Sequence, residues 1–328
     1  MIKIAQIGVG YWGPNLLRNL LKNKNFDLKL VVDKSQQRLD YVKSLYPNIK
    51  VSLDSDIIFD DKQIDAVVIS TPAKSHYSLA MRALKSGKHI LVEKPMSTSS
   101  DEVEKIEIIA DKNNLIAMSG HTFIYNSAVD YLKTLIDNGE LGDVRCIYSQ
   151  RLNLGRIRQD VDALWNFAPH DVSIIQYLLG NPAPFKVSKS GMDFIQKGID
   201  DIVFLNIKYP NNIFANIHVS WLDPLKVRKL IVLGSKKMVV YDDVSTEKIK
   251  IYNKFVERRA ILGENMDFDK SSSFQFNYES GNILIPNLNI TEPLQNQIQH
   301  FSDCIIKNDV CKTGTQHTKM VIKILEMD

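Results

Sequence analysis

The pattern of apolar and polar positions differs between the first and the second part of this chain. In about the first 120 residues, apolar runs typical of buried strands alternate with segments whose apolar residues recur at helical spacing. After an opening run at residues 3–7, the predicted strands lie at 28–32, 64–70, 89–92 and 115–119, and the predicted helices at 36–45, 75–86 and 99–113. Ser99 and Glu102 resemble a capping box for the last of these helices. The alternation predicts an α/β fold with a doubly wound parallel sheet.

The rhythm changes beyond Gly120. A helix is predicted at 126–138, followed by strands at 144–150, 201–209, 213–221 and 227–234. Short turns separate neighbouring strands, so antiparallel pairing is expected. The segment 258–289 is mixed and irregular, with the serine run 271–273 in a loop, and helices close the chain at 293–307 and 316–327. We therefore expect a first domain at residues 1–120 and a second, α+β domain at residues 121–328.

Composition narrows the class of protein. The chain has 328 residues, 44% apolar and 24% charged residues and a net charge of +3, which are typical of a globular protein of about two domains and do not favour a nucleic-acid partner. No run approaches the roughly 18 apolar residues of a membrane helix, so we expect a cytoplasmic protein without a membrane partner. The three cysteines lack CxxC spacing; neither a disulfide framework nor a metal site is predicted.

The first strand leads into a glycine turn. Gly8, Gly10 and Gly13 have the GxGxxG spacing, in which the first glycine permits a tight turn, the second admits a pyrophosphate and the third lets a helix pack on its strand. Asp33 follows the next strand, where a carboxylate accepts hydrogen bonds from ribose hydroxyls. The alternative, a flavodoxin-like sheet with a fortuitous glycine turn, does not explain Asp33. The predicted dinucleotide site also includes four nearby side chains: Tyr11, Trp12, Lys34 and Arg38.

Asp33 favours NAD, because a carboxylate repels the 2′-phosphate of NADP. Lys34 and Arg38 are cationic and close in sequence, so they weaken this preference and leave NADP possible.

Two further stretches follow predicted strands, at the edge where ligands bind to doubly wound sheets. One runs from Thr71 and Pro72 to His76, and the other is Glu93-Lys94-Pro95. Near a positive nicotinamide ring, the ammonium form of Lys94 is disfavoured, so this side chain can exchange a proton with a substrate hydroxyl. The alternative is a solvated surface lysine.

Together with the turn 139–142, these motifs resemble the glucose-fructose oxidoreductase / inositol dehydrogenase / MocA family over nearly the whole chain. The resemblance implies an NAD(P)-dependent sugar or polyol dehydrogenase with a Rossmann domain and a C-terminal domain whose open, mostly antiparallel sheet carries substrate and subunit contacts. It also implies that Lys94 is the active-site lysine and that its neighbours line the nicotinamide end: Thr71, Pro72, His76, Glu93 and Pro95. A homodimer or homotetramer is expected.

The family also has an aspartate four residues before a histidine at the start of a substrate-domain helix. His170 matches this histidine, but Asn166 stands where the family has aspartate, and an amide takes no proton. Residues four apart share a helix face, so both side chains can reach one substrate. The alternatives are a helix N-cap for Asn166 and a satisfied core histidine for His170. Asp171 either restores a carboxylate or favours the helix N-terminus.

The stretch from Arg151 to Trp165 resembles family members that act on nucleotide-activated amino sugars, such as UDP-N-acetylglucosamine 3-dehydrogenases. Arginines form forked hydrogen bonds with a diphosphate, and a tryptophan can cover a ring. The predicted substrate residues here are Arg151, Asn153, Arg156, Arg158 and Trp165. A solvated basic loop is the competing interpretation.

The resulting hypothesis is hydride transfer from a sugar secondary alcohol to nicotinamide, with C3 of a UDP-N-acetylhexosamine or its uronate as the substrate in nucleotide-sugar or cell-surface polysaccharide biosynthesis. Lys94 and His170 hold the hydroxyl, and one of them takes its proton while Asn166 orients the group. The alternatives are reduction of a keto-deoxysugar, oxidation of a free polyol, or a sensor of sugar or dinucleotide that has lost catalysis.

Overall fold

The structure, a computed structural model, describes residues 1–260 and 274–327. These residues form two compact units. The first comprises Met1–Ser127, Val172–Asn181 and Ile290–Met327, and the second comprises Ala128–Asp171 and Pro182–Asn289. The first unit is not continuous in sequence, because the chain returns to it at Val172–Asn181 and for its last two helices. The boundary at residue 120 stays a prediction.

A parallel sheet organises the first unit. Its six strands lie in the order β3-β2-β1-β4-β5-β6, and all neighbouring pairs are parallel. The strands β1 to β6 are Ile2–Ile7, Phe26–Val32, Lys50–Ser52, Ala66–Ile69, His89–Val92 and Ala117–Ser119. The predicted doubly wound parallel sheet is therefore confirmed; the short strand β3 was not predicted.

Helices cover this sheet. The helices of the first unit are Gly13–Lys22, Gln36–Leu45, Asp56–Asp60, His76–Lys85, Ser100–Lys112, Pro293–Lys307 and Thr315–Glu326, with short 3-10 turns at Ala73–Ser75 and Thr122–Tyr125. Leu16 and Leu20 of the first helix share a core with Ile298 and Phe301 of the late helix. Full burial of each such side chain contributes about 1.5–3 kcal/mol, so the late helix is held in the first unit by its apolar face.

The predicted capping box of helix Ser100–Lys112 was wrong. Ser99 stands at the N-cap with an extended backbone, but its side chain makes no capping hydrogen bond. Instead, the Ser97 hydroxyl donates to the Glu102 carboxylate and accepts the Ser99 N–H at 3.0 Å. Glu102 therefore stabilises the turn before the helix.

The second unit contains an eight-stranded sheet in the order β14-β13-β12-β11-β7-β10-β9-β8. Its strands β7 to β14 are Val144–Leu152, Lys186–Met192, Ile202–Tyr209, Ile213–Ser220, Val227–Gly234, Met238–Asp242, Ile249–Ala260 and Phe274–Leu284. Helix Ser127–Asp137 precedes them, and helix Ala163–Leu179 lies between β7 and β8. The predicted mostly antiparallel sheet is confirmed, although β8, β12 and β13 were not predicted.

Two details of this sheet differ from the sequence interpretation. Strands β7 and β10 are parallel, because the hairpin partner of β10 is β9, to which a turn with positive φ at Asn211 and Asn212 connects it. The segment 258–289 is regular up to Leu284 where it is described, since β13 and β14 pair antiparallel, and only residues 285–289 have no regular secondary structure. The serine run 271–273 lies outside the described residues. No helix of the described ranges is long and apolar enough to cross a membrane.

Candidate active site

The glycine turn after β1 is built as the spacing predicts. Gly8 has φ 95°, and a Cβ on it would lie 2.7 Å from the Ser70 carbonyl oxygen at the end of β4. A Cβ on Gly13 would lie 2.7 Å from the Gly8 carbonyl oxygen. The Gln6 side-chain amide donates to the carbonyls of Gly8 and Gly13, at 2.9 Å each. Close backbone packing therefore requires glycine at both positions.

The turn presents the N-terminus of helix Gly13–Lys22. This helix has no side-chain cap at its N-terminus and no acidic residue in its first turn, where Pro14 lies. Pro14 has no N–H and the Asn15 N–H donates to the Trp12 carbonyl at 3.0 Å, so the attraction for an anion comes from the helix dipole, which favours negative charge there. Tyr11 is 98% exposed and Trp12 is 39% exposed beside this turn. These features fit the pyrophosphate of a dinucleotide.

Asp33 lies against the same turn. Its Oδ2 accepts the Val9 N–H at 2.7 Å, and its Oδ1 accepts the Ser35 N–H at 2.9 Å. The guanidinium of Arg38 lies 3.6 Å from Oδ2 and is 56% exposed, and Lys34 is also exposed. The structure therefore brings Asp33 and Arg38 together at the glycine turn, so that a carboxylate and a cation stand where the ribose is expected.

His76 connects the loops that follow β4 and β5. The ring is 1% exposed, with Nδ1 2.7 Å from the Pro95 carbonyl oxygen and Nε2 2.7 Å from the Thr71 carbonyl oxygen. Burial lowers the pKa of His76, and the two backbone hydrogen bonds oppose that shift. The imidazole thus holds two loops together by their backbones, while Pro72 in the first loop is exposed.

Glu93 and Lys94 follow β5. The Lys94 N–H donates to Glu93 Oε2 at 3.2 Å, and the Trp12 side chain also hydrogen-bonds to this carboxylate. Burial raises the pKa of Glu93 to about 7, against the opposing effects of these hydrogen bonds and of the Lys94 charge. A Cβ on Gly120 would lie 3.0 Å from the carboxylate. The glycine turn, the β5 end and the β6 end therefore meet around Glu93.

A further histidine at this edge, His121, was missed by the sequence interpretation. It is 2% exposed, and among the described residues neither of its ring nitrogens has a hydrogen-bond partner. Burial, with smaller contributions from the charges of His317 and Lys94, holds the pKa of His121 well below its ordinary value. His121 follows β6, so the rule that pointed to Thr71 and Lys94 applies to it as well.

Asn166 and His170 lie one turn apart in helix Ala163–Leu179 and are both partly buried. The Trp165 N–H donates to the Asp162 side chain at 2.8 Å, and the Asn166 N–H donates to the Asp162 carbonyl at 3.1 Å. Asp162 therefore caps the helix, and the N-cap alternative for Asn166 was wrong. Pro169 lies inside the helix, beyond its first turn.

The arginines of the 151–165 stretch have different environments. Arg151 is buried and forms an ion pair with Asp171, so its forked face is occupied and does not fit a diphosphate ligand. Arg158 is exposed and pairs with Asp160, at 2.8 Å for its Nε, and Arg156 is exposed. Asn153 and Trp165 are partly buried. Asp171, as the partner of Arg151, is a structural carboxylate.

Comparison with known proteins identifies the family. Residues 2–121 match the model of an oxidoreductase family with an NAD-binding Rossmann fold. Residues 129–240 match the GFO/IDH/MocA C-terminal domain. The chain belongs to the Gfo/Idh/MocA oxidoreductase family. As a member of this family, it is an oxidoreductase that uses a nicotinamide dinucleotide, which confirms the predicted family, enzyme class and cofactor.

Relatives within the Gfo/Idh/MocA family are distant. An uncharacterized oxidoreductase of Streptococcus pneumoniae is 26% identical over 256 residues, 74% of this chain and 69% of that protein. The scyllo-inositol 2-dehydrogenase (NADP(+)) of Bacillus subtilis is 28% identical over 50% of this chain and 46% of its own length. The solved structure of UDP-N-acetylglucosamine 3-dehydrogenase from Acidithiobacillus ferrooxidans has a TM-score of 0.81 and 19% identity over 99% of this chain and 95% of that one.

Proposed function

We propose that this Gfo/Idh/MocA oxidoreductase oxidises a sugar secondary alcohol, with C3 of a UDP-N-acetylhexosamine or its uronate as the reacting carbon. The placement of Lys94 carries the proposal. Its backbone N–H is bonded to the buried Glu93 carboxylate, and Glu93 is also bonded to the Trp12 side chain of the glycine turn. Lys94 is thereby fixed next to the turn that fits the pyrophosphate.

In this proposal the chain positions a hydroxyl and moves its proton. Lys94 and His170 hold the hydroxyl, one of them accepts the proton, and Asn166 orients the group by its amide. When bound, the nicotinamide supplies the hydride-accepting carbon. Gly8, Gly10, Gly13 and Asp33 hold the dinucleotide, because the uncapped helix N-terminus favours its phosphates and the carboxylate favours its ribose.

The substrate class rests on a fold similarity and on exposed arginines. The fold similarity to a UDP-N-acetylglucosamine 3-dehydrogenase and the exposed Arg156 support a nucleotide sugar, since arginines bind diphosphates through charge-assisted hydrogen bonds. Arg158 is also exposed, but it would have to exchange its Asp160 partner for the diphosphate. Arg151 is excluded from this role by its ion pair with Asp171. We expect Arg156→Gln to raise KM for the UDP-sugar and to leave NAD affinity unchanged.

The outward face of the eight-stranded sheet supports a homodimer or homotetramer. Paired positions on neighbouring strands point to the same face, and one row aligns Tyr148, Ile231 and Val240. The next row aligns Phe214, Cys146, Leu233 and Met238. All of these side chains are partly or largely exposed, and an exposed apolar face of this kind favours association.

The test mixes the purified protein and NAD with UDP-N-acetylglucosamine, with its glucuronate analogue or with free inositol, and follows NADH absorbance. A signal with the UDP-sugars alone supports the proposal, whereas a signal with inositol alone supports the polyol dehydrogenase. Adding 2-oxoglutarate or a coupling aminotransferase reveals turnover that tightly bound NADH would hide. If NAD binds but no substrate gives an increase in NADH absorbance under any of these conditions, the result supports the sensor that has lost catalysis.

Lys94→Ala separates catalysis from binding. We expect a loss of turnover of at least about 100-fold, because a general acid–base group contributes about that much, with NAD affinity retained. Lys85→Ala is the matched control, since Lys85 is exposed near the opposite end of β5. Turnover of Lys94→Ala near the wild-type rate would contradict the assignment.

A further inference from the structure

A cluster of soft ligand atoms lies in the first unit, on side chains to which the dehydrogenase proposal gives no role. Nε2 or Nδ1 of His300 and the Sγ atoms of Cys304 and Cys311 all lie within 4.8 Å of one another. His300 and Cys304 are four residues apart on helix Pro293–Lys307 and therefore share one face. The helix ends at Lys307, Asn308 takes a left-handed conformation, and the chain turns back to bring Cys311 to the same face.

We propose that His300, Cys304 and Cys311 form a binding site for zinc or a similarly thiophilic divalent cation, with water as the fourth ligand. In a tetrahedral zinc site, bonds of about 2.0 Å to nitrogen and 2.3 Å to sulfur place neighbouring ligand atoms about 3.5–3.8 Å apart. Here Cys304 Sγ lies 3.4 Å from His300 Nε2. The cluster thus has nearly the required spacing before an ion binds.

The protonation of the cluster also suits a cation. The Lys312 N–H donates to His300 Nε2 at 3.0 Å, so this nitrogen carries the lone pair that a metal needs. The cation would bind to this lone pair in place of the hydrogen bond from the Lys312 N–H. Cation binding releases the thiol protons to solvent, and no electron is transferred.

A cation at this site would stabilise the segment around Thr313, which pairs with the edge strand β6 of the parallel sheet. Thr313, two residues after Cys311, accepts the Ser119 N–H at 2.9 Å and donates its hydroxyl to the Ser119 carbonyl at 2.9 Å. Met118 and Gly314 form an antiparallel bridge. A cation held by Cys311 would therefore stabilise the end of β6. We expect an ion that binds only the folded chain to raise the melting temperature.

The test titrates the full-length protein, reduced and freed of metal by a chelator, with Co²⁺ and then Zn²⁺. We expect one equivalent of Co²⁺ to give the strong near-ultraviolet absorption of thiolate–cobalt bonds, and Zn²⁺ to abolish it. Cys304→Ser and Cys311→Ser should weaken binding by about 100-fold or more, because each removes a ligand. Cys146→Ser is the matched control, since Cys146 lies in the second unit.

A second measurement needs no variant. Zn²⁺ should protect Cys311 from alkylation by iodoacetamide, as read by mass spectrometry, while the rate at Cys146 stays unchanged. The proposal is overturned by any of three results: no thiolate–cobalt absorption in the wild type, the same absorption in both cysteine variants, or a Cys304–Cys311 disulfide that persists under reducing conditions. Loss of sugar turnover has no bearing on these readouts, so this test is independent of the proposed dehydrogenase activity.

Discussion

Arg151 of strand β7 donates from Nε to Oδ2 of Asp171 at 2.6 Å and from Nη2 to Oδ1 at 3.4 Å. Both side chains are buried, at 6% and 4% exposure. The pair connects the buried face of the sheet to the helix that carries Asn166 and His170. It therefore gives the 151–171 region a fixed charge pair rather than a free arginine for a ligand.

Breaking this pair is expected to destabilise the protein strongly. Arg151→Met or Asp171→Leu alone leaves one buried charge without its partner, which costs about 3–5 kcal/mol. The double variant Arg151→Met/Asp171→Leu should recover most of this loss, because no buried charge remains. Urea titrations of the four proteins measure the free energies of unfolding. Single variants within about 1 kcal/mol of the wild type would show that the pair contributes little.

Two glycines of the cofactor turn are expected to act differently. A side chain at Gly8 would be strained at φ 95° and would meet the Ser70 carbonyl oxygen at 2.7 Å, so Gly8→Ala should destabilise the protein even without a cofactor. Within the described part of the chain, a Cβ on Gly10 meets the flexible Arg38 side chain, at 3.7 Å, and no other group within 4 Å. We therefore expect Gly10→Ala to leave the melting temperature of the NAD-free protein nearly unchanged and to weaken NAD binding.

Melting curves with and without NAD, together with NAD titrations, distinguish the two variants. If Gly10→Ala binds NAD as tightly as the wild type, the close approach of the pyrophosphate to Gly10 is wrong.

The buried carboxyl of Glu93 predicts a pH-dependent stability. Its pKa is raised from 4.5 to about 7, so the folded chain holds this proton more tightly than the unfolded chain does. The corresponding contribution, about 3 kcal/mol at most, is present below about pH 4.5 and is lost as the pH rises through about 7. Glu93→Gln removes this titration while keeping the shape of the side chain.

The measurement compares the NAD-free wild type and Glu93→Gln in urea titrations at pH 5 and pH 8. The free energy of unfolding of the wild type, relative to that of Glu93→Gln, should decrease from pH 5 to pH 8. If the difference in the free energy of unfolding between the two proteins is the same at both pH values, the Glu93 carboxyl is ionised at both.

Substituting lysines for apolar residues tests whether the chains associate through the outward face of the eight-stranded sheet. Tyr148→Lys combined with Ile231→Lys places two cations in one apolar row, because these residues are direct partners of β7 and β11. We expect the mass measured by light scattering after size-exclusion chromatography to fall to that of a monomer. Leu225→Lys serves as the control, since Leu225 is 66% exposed outside the strands. An unchanged mass in the double variant would place the interface elsewhere.

Local chemistry explains why so much of the first unit could be predicted. Gly8, Gly13 and Asp33 are close in sequence to the strands they follow, and parallel strands bring their carboxyl ends to one edge of the sheet. The sequence therefore indicated the Rossmann fold, the nicotinamide cofactor and the neighbourhood of Lys94. The same rule applied to β6 would have found His121.

Long-range packing decided the rest. Apolar spacing identified helix Pro293–Lys307, but only its contacts with Leu16 and Phe26 place it in the first unit. Strand β7 pairs in parallel with β10 and antiparallel with β11, and sequence patterns did not indicate either pairing because both strands are distant from β7 in sequence. Spacing likewise excluded a CxxC site, whereas the return of the chain after Lys307 brings Cys311 to His300 and Cys304.

The amino-acid sequence by itself determined the family, the parallel sheet and the type of cofactor, because these depend on periodicity and on short motifs within one βα unit. The tertiary structure decided the partners of individual side chains. Asp171 forms an ion pair with Arg151. Asp162, rather than Asn166, caps the helix that carries Asn166. The His76 ring hydrogen-bonds to the backbone carbonyls of two loops. A side chain's role depends on which groups burial brings within about 3 Å, and that proximity is a property of the folded chain.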